Sequence, residues 1–150
     1  MPAPVNYTTK VPATRTCGEM QEMLAKNGAS RIAVEYENGY PSGIMFALDT
    51  VLGTRVFELP VDIGRVEKML KKYRPTGGMS TTQFHTRDHA ARVGWRIMKD
   101  WLGAQLALIE SQMVDLNQVM LPYMKVDDGH TLYAAWRDRE AGLLELEAAQ

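Results

Sequence analysis

The stretch from about Arg87 to Met113 constrains the chain most, because its polarity repeats at the period of one long helix. With Arg92 at zero and about 100° per residue, Asp88, Arg92, Arg96, Lys99, Asp100, Gly103, Ala107 and Glu110 gather within an arc of about −40° to +80°. Val93, Ile97, Met98, Trp101, Leu102, Leu108 and Ile109 fill most of the remaining circumference. An apolar arc that wide marks a helix packed on more than one side, here expected against a sheet and against the last helix. The rest of the chain therefore has to supply layers on either side of it.

Those layers are legible upstream. Thr16-Cys-Gly-Glu19 has the form of a capping box opening a short helix whose apolar positions are Cys17, Met20, Met23 and Leu24. Asn27-Gly28 supplies the left-handed stop. Asn6 to Val11 is expected as a short edge strand ended by Pro12. Three strands follow, at Arg31–Tyr36, Gly43–Asp49 and Thr54–Leu59, separated by turn chemistry at Asn38-Gly39, Pro41-Ser-Gly43 and Leu52-Gly53. Asp62 caps a helix running Ile63 to Tyr73. Pro75 to Gln83 then breaks all periodicity and reads as a flexible linker, extended here to residues 75–86. Downstream come the long helix, a brief helix capped by Asp115, a turn at Asp127-Asp128-Gly129, and a final helix from Thr131 to Ala148 with Leu132, Tyr133, Trp136, Leu143, Leu144 and Leu146 apolar.

The expected fold is α+β. A small antiparallel sheet of three to four strands is flanked by helices, with the long central helix in an α-helical C-terminal half. The chain of 150 residues suits one domain, divided into an α/β half (1–74), the linker and a helical half (87–150). Hydrophobic residues at 45% and charged residues at 23% are ordinary for a soluble protein, and no apolar run is long enough to span a membrane. The N-terminal Met-Pro-Ala-Pro-Val-Asn lacks the pattern of a secretory signal, and the single cysteine, Cys17, excludes an internal disulfide framework. A cytoplasmic setting is the expectation.

Charge is unevenly distributed behind a net −1. Residues 65–99 hold nine Lys/Arg against two Asp/Glu, whereas residues 100–150 hold three against nine. Arg92, Arg96 and Lys99, at spacings of four and three, share one helix face. Gly103 and Ala107 continue that face without bulk, a surface that suits phosphates. The alternative is that Asp88, Asp100, Glu110 or the acidic tail neutralise it. Lys71, Lys72 and Arg74 surround Tyr73, and cations interleaved with an aromatic suit single-stranded nucleic acid. Arg87 adds to the same basic third.

No catalytic signature is present. His85 and His89 stand four apart, a spacing that can hold a metal on a helix, but without a further ligand nearby; the expectation is a solvated helix start and no metal. Cys17 lies on an apolar stripe and is expected to be core. No phosphate loop and no nucleophile–base pair can be read, and no cofactor is expected.

The segment Val-Gly-Trp95-Arg96-Ile-Met-Lys99-Asp100-Trp101-Leu-Gly-Ala-Gln105-Leu-Ala-Leu-Ile109-Glu110, with Val-Met-Leu121-Pro122-Tyr123 and Thr131-Leu-Tyr133 after it, resembles a family of small proteins encoded by bacteriophages, prophages and related mobile elements. Ile32 to Leu59, with Asn38-Gly39 and Phe57-Glu-Leu-Pro60, resembles it too, so that the likeness covers most of residues 7–135. The resemblance implies a phage or mobile-element setting and no particular activity. It also marks Arg96, Lys99, Asp100, Gln105 and Glu110 as a pattern to test.

Two readings of function follow. The first is a non-catalytic nucleic-acid-binding protein, gripping single-stranded or structured DNA or RNA through Arg92, Arg96, Lys99, Arg87 and the Lys71–Arg74 patch, as an accessory or subunit in DNA or RNA metabolism. The second is a protein-interaction module, an inhibitor of a host defence system or a subunit of a larger protein or ribonucleoprotein assembly. In that reading Glu140, Glu145 and Glu147 of the last helix meet the partner. Self-association is compatible with both.

Overall fold

The structure is a computed structural model that describes residues 5–127 and 129–149. A 3-10 turn at Val5–Thr8 replaces the expected edge strand, and α1 spans Ala13–Lys26. The helix begins after Pro12, whose carbonyl accepts from the backbone of Arg15 (3.1 Å) and Thr16 (3.2 Å), so Thr16-Cys-Gly-Glu19 is not a capping box. Thr16 lies inside the helix and is fully buried, and Glu19 is left free to reach another element. The C-terminus follows the sequence: Gly28 takes φ +98°, Ala29 N–H returns to Leu24 O (3.0 Å) and Gly28 N–H to Ala25 O (3.2 Å), a Schellman closure.

The sheet is an antiparallel meander of β1 (Arg31–Glu37), β2 (Tyr40–Thr50) and β3 (Gly53–Pro60), in the order β1-β2-β3. Asn38 (φ 52°) and Gly39 (φ 84°) make the two-residue hairpin between the first pair. Pro41-Ser-Gly43 is not a second turn but part of β2. The register slips there between Glu35↔Gly43 and Tyr36↔Pro41, so Ser42 is the extra residue, and its carbonyl accepts from Val61 N–H (2.8 Å). Ile44, Phe46 and Leu48 project from β2 to the same face as Phe57 and Leu59 of β3, with the two phenylalanine rings stacked at 5.7 Å. On that face lies the core.

α2 covers Ile63–Leu70 and stops short of Tyr73, leaving Lys71 to Arg74 outside the helix. After it, the segment read as linker contains a one-turn helix, α3 (Thr81–Phe84), and Phe84 is fully buried. The segment is thus tied to the core at that point. α4 (Arg87–Glu110) is the long helix, capped by Thr86, which accepts from His89 N–H (3.1 Å). Its N-terminal half is the core of the molecule: His89, Ala90, Ala91, Val93, Gly94 and Trp95 are buried. Trp95 donates its indole N–H to Pro41 O (2.7 Å), at the bulge of β2. At Gly94 an added Cβ would meet Val61 Cγ1 at 2.9 Å and Val66 Cγ2 at 3.3 Å, so only glycine lets the β3–α2 connection and α2 come this close. Ile97, placed in the apolar arc by the wheel, is 38% exposed.

Asp115 caps α5 (Leu116–Met120), with Gln118 returning a bond to the Asp115 N–H (2.8 Å). Tyr123, in a 3-10 turn at Leu121–Tyr123, packs edge-on against Trp101 (5.4 Å). A small hairpin of β4 (Lys125–Asp127) and β5 (His130–Thr131) touches the main sheet through the bridge Phe57↔Met124, which makes the outcome a three-stranded sheet plus a two-stranded one. In the turn between them Asp127 Oδ1 accepts from Gly129 N–H (2.8 Å); Asp128, part of the expected turn, lies outside the described residues, as do Met1 to Pro4 of the N-terminal reading. α6 (Leu132–Ala148) closes the chain. It rests mainly on β4, β5 and the Leu121–Tyr123 turn, not on α4 as expected, and none of its residues is buried. Among the described residues, no helix is long and apolar enough to cross a membrane.

Candidate functional site

The basic face of α4 lies against α1. Glu19, freed from capping, projects from α1 and accepts from Lys99 Nζ and from Arg96 Nη1 (3.3 Å), while Arg15 approaches its other oxygen (3.5 Å). Three cations, led by Lys99, hold the Glu19 carboxyl below the usual carboxylate range. Arg92 pairs with Asp88 one turn back (3.0 Å) and points Nη1 at the carbonyl of Lys10 (3.5 Å). Gly103 does not present an open surface either, since an added Cβ would sit 3.5 Å from Met23 Cε of α1. Asp100 accepts from Asn6 Nδ2 (2.5 Å) rather than from the stripe.

The stripe is therefore neutralised, at Arg92 by Asp88, one of the partners the sequence suggested, and at Arg96 and Lys99 by Glu19, which it did not suggest. The acidic tail makes no ion pair with it among the described residues, and the decisive carboxylate is Glu19, about eighty residues earlier in the chain. Arg96, Lys99 and Glu19 side chains are 28%, 25% and 30% exposed, so a phosphate would have to displace a partly desolvated carboxylate already in place.

The second basic patch stands otherwise. Lys68, Lys71, Lys72 and Arg74 are exposed around the end of α2 and have no ion pair among the described residues. Tyr73 is half-buried: its ring meets Tyr7 edge-on at 5.4 Å and packs against the core, so it is not a fully open platform for a base. Arg87 pairs with Glu67 (3.5 Å).

The histidines do not converge on a common point for a metal. His89 is 3% exposed and donates Nε2–H to Tyr7 O (2.6 Å), while His85 lies beside Phe84 with its Nε2 buried and unpartnered. Among the described residues no group of three or more metal-ligating side chains comes together. Cys17 is buried, and burial raises its thiol pKa, the opposite of an activated cysteine.

A run of exposed apolar side chains lies on α6. Tyr133 (53%), Trp136 (54%), Leu143 (45%), Leu144 (66%) and Leu146 (64%), the apolar positions of this last helix, are open to solvent. With Trp136 at zero and about 100° per residue, all of them and Leu132 fall within about 80° of it. Arg139, Glu140 and Glu147 share the arc, and Glu145 lies behind. That intrusion of charge is the signal that this face is not core, and it was present in the sequence. Tyr133 and Trp136 already lie together, with ring centroids 5.8 Å apart.

No protein-family model matches the chain, and neither a curated protein nor a solved structure shows a significant match to it.

Proposed function

We propose that this protein is a non-catalytic interaction module that docks on a larger protein or ribonucleoprotein assembly through α6. The observation that carries the reading is the contrast between two faces. The α4 cations are occupied by Glu19 and Asp88, whereas α6 holds no buried residue and exposes an aromatic–leucine flank interrupted by Glu140 and Glu147. Exposed Trp, Tyr and Leu at helical spacing are the elements of helix-in-groove recognition. The two carboxylates within that flank select a groove carrying Lys or Arg, because opposite potentials steer encounter and like charge repels. The resemblance to phage and mobile-element proteins supplies the setting: a small protein acting on a host or phage machine, as a subunit or an inhibitor.

The test is capture from host cells with the tagged protein, followed by reconstitution of the captured partner in purified form. A stoichiometric partner is expected that is lost in Trp136→Ala and in the triple Glu140→Lys/Glu145→Lys/Glu147→Lys, and kept in Arg96→Ala. A partner that survives both α6 changes would refute the docking surface.

A second reading rests on Lys68, Lys71, Lys72 and Arg74, four neighbouring cations with no ion pair among the described residues. They give a backbone-type contact to nucleic acid, with no base stacking needed on Tyr73, and affinity that falls steeply with salt. Anisotropy titration at low salt separates the two: loss of nucleic-acid affinity in Lys71→Glu/Lys72→Glu/Arg74→Glu, with the α6 variants unaffected, would favour this second reading.

A further inference from the structure

β1 is an edge strand, and its charge pattern is complementary to itself. β3, the opposite edge, is joined by Met124 through the bridge to Phe57, but the outer side of β1 meets no strand among the described residues. It is seven residues long and contains no proline, and the irregularity in its pairing falls on β2 at Ser42, so the edge of β1 itself stays regular. Such an edge presents a row of unpaired backbone donors and acceptors ready to pair with another strand.

Side chains decide which strand. Arg31, Ala33, Glu35 and Glu37 alternate onto the exposed face of the sheet, and Ile32, Val34 and Tyr36 onto the other. Neither Arg31 nor Glu35 nor Glu37 has an ion pair among the described residues. Tyr36 is 62% exposed.

We infer that a second copy of this chain occupies that edge, the two β1 strands pairing antiparallel about Val34 to make one continuous six-stranded sheet. In this register Arg31 stands opposite Glu37 of the other copy, twice over by symmetry, and Ile32 stands opposite Tyr36. The parallel arrangement puts Arg31 on Arg31 and Glu35 on Glu35, so charge disfavours it and favours the antiparallel one. The outer face next to it carries an apolar patch, Ala33, Met45, Ala47 and Val56, which the charged pairs at the junction would border on either side of the two-fold axis. This dimer uses a surface remote in sequence from α6, so it stands or falls separately from the docking reading.

Sedimentation equilibrium of the purified full chain is the test. A concentration-dependent dimer of the 16.9 kDa chain is expected. Arg31→Glu and Glu37→Arg each place like charges opposite one another and weaken dimerisation by roughly tenfold, whereas the double exchange restores it. Both side chains involved are exposed, so far-UV circular dichroism of the variants matches wild type. A monomer at every concentration overturns the inference. So does a dimer indifferent to the single changes, a double variant that fails to recover, or a dimer lost instead in Trp136→Ala, which would place the contact on α6.

Discussion

Glu19 shows how one side chain can reverse the meaning of a motif. In the sequence it completes a capping pattern with Thr16; in the fold it reaches from α1 to Lys99 and Arg96. Because those cations depress its pKa, folding favours the ionised form, and the stabilisation is complete above the ordinary glutamate range. It is lost as pH falls through that range to the lower folded value. Urea midpoints measured against pH should therefore show wild type more stable than Glu19→Gln at neutral pH, with the gap closing in acid. A gap that stays constant with pH would mean that the carboxylate charge does not contribute. Cys17 was read correctly as core, because a small apolar side chain on an amphipathic stripe needs no distant partner to decide its place. Glu19 was not, because its partner lies on another helix.

At the scale of the element, the crossing of α2 and α4 is set by Gly94. A methyl group there meets Val61 and Val66, and the overpacking cost of about 1–3 kcal/mol exceeds the helix-propensity gain of about 1 kcal/mol from replacing glycine. Gly18, in α1, has nothing within 4 Å of the same added atom. Gly94→Ala is thus expected to destabilise by about 1 kcal/mol and Gly18→Ala to stabilise by about 1 kcal/mol in chemical denaturation. Equal effects would mean that the crossing relaxes around the extra methyl. The wheel of α4 foresaw a broad apolar arc but not where it is buried: the N-terminal half is enclosed, and the C-terminal half from Gly103 onward has no buried residue. Periodicity gives direction around a helix axis, and how many neighbours lie along that axis depends on the rest of the fold.

For the molecule as a whole, the segment between the two halves matters more than its composition suggests. Phe84 is fully buried and contacts His85 and His89 through its ring, so residues on both sides of the Pro75–Gln83 stretch share one core with it. Phe84→Ala should cost about 3–5 kcal/mol. Near-UV signals from the buried Trp95 and far-UV helix signals should still be lost together in urea, as for one cooperative unit. A change within a few tenths of a kcal/mol would show the segment to be a free tether after all.

Local chemistry was enough to determine most of the elements, though not the Val5–Thr8 turn, α3 or the β4–β5 hairpin. Alternation in β1, the Asn38-Gly39 hairpin, the Gly28 stop and the Asp62 and Asp115 caps all act within a few residues, so they can be read from the chain and recur in the structure. The α+β class follows from their order. Tertiary structure decided which charges are available and which apolar residues are covered. Arg96 and Lys99 meet Glu19 across two helices, while Tyr73 turns to Tyr7. Trp136 and its leucines on α6 are left uncovered. Burial and ion pairing are properties of neighbours brought together over long separations, and a single helix carries its own period but no record of what will lie against it.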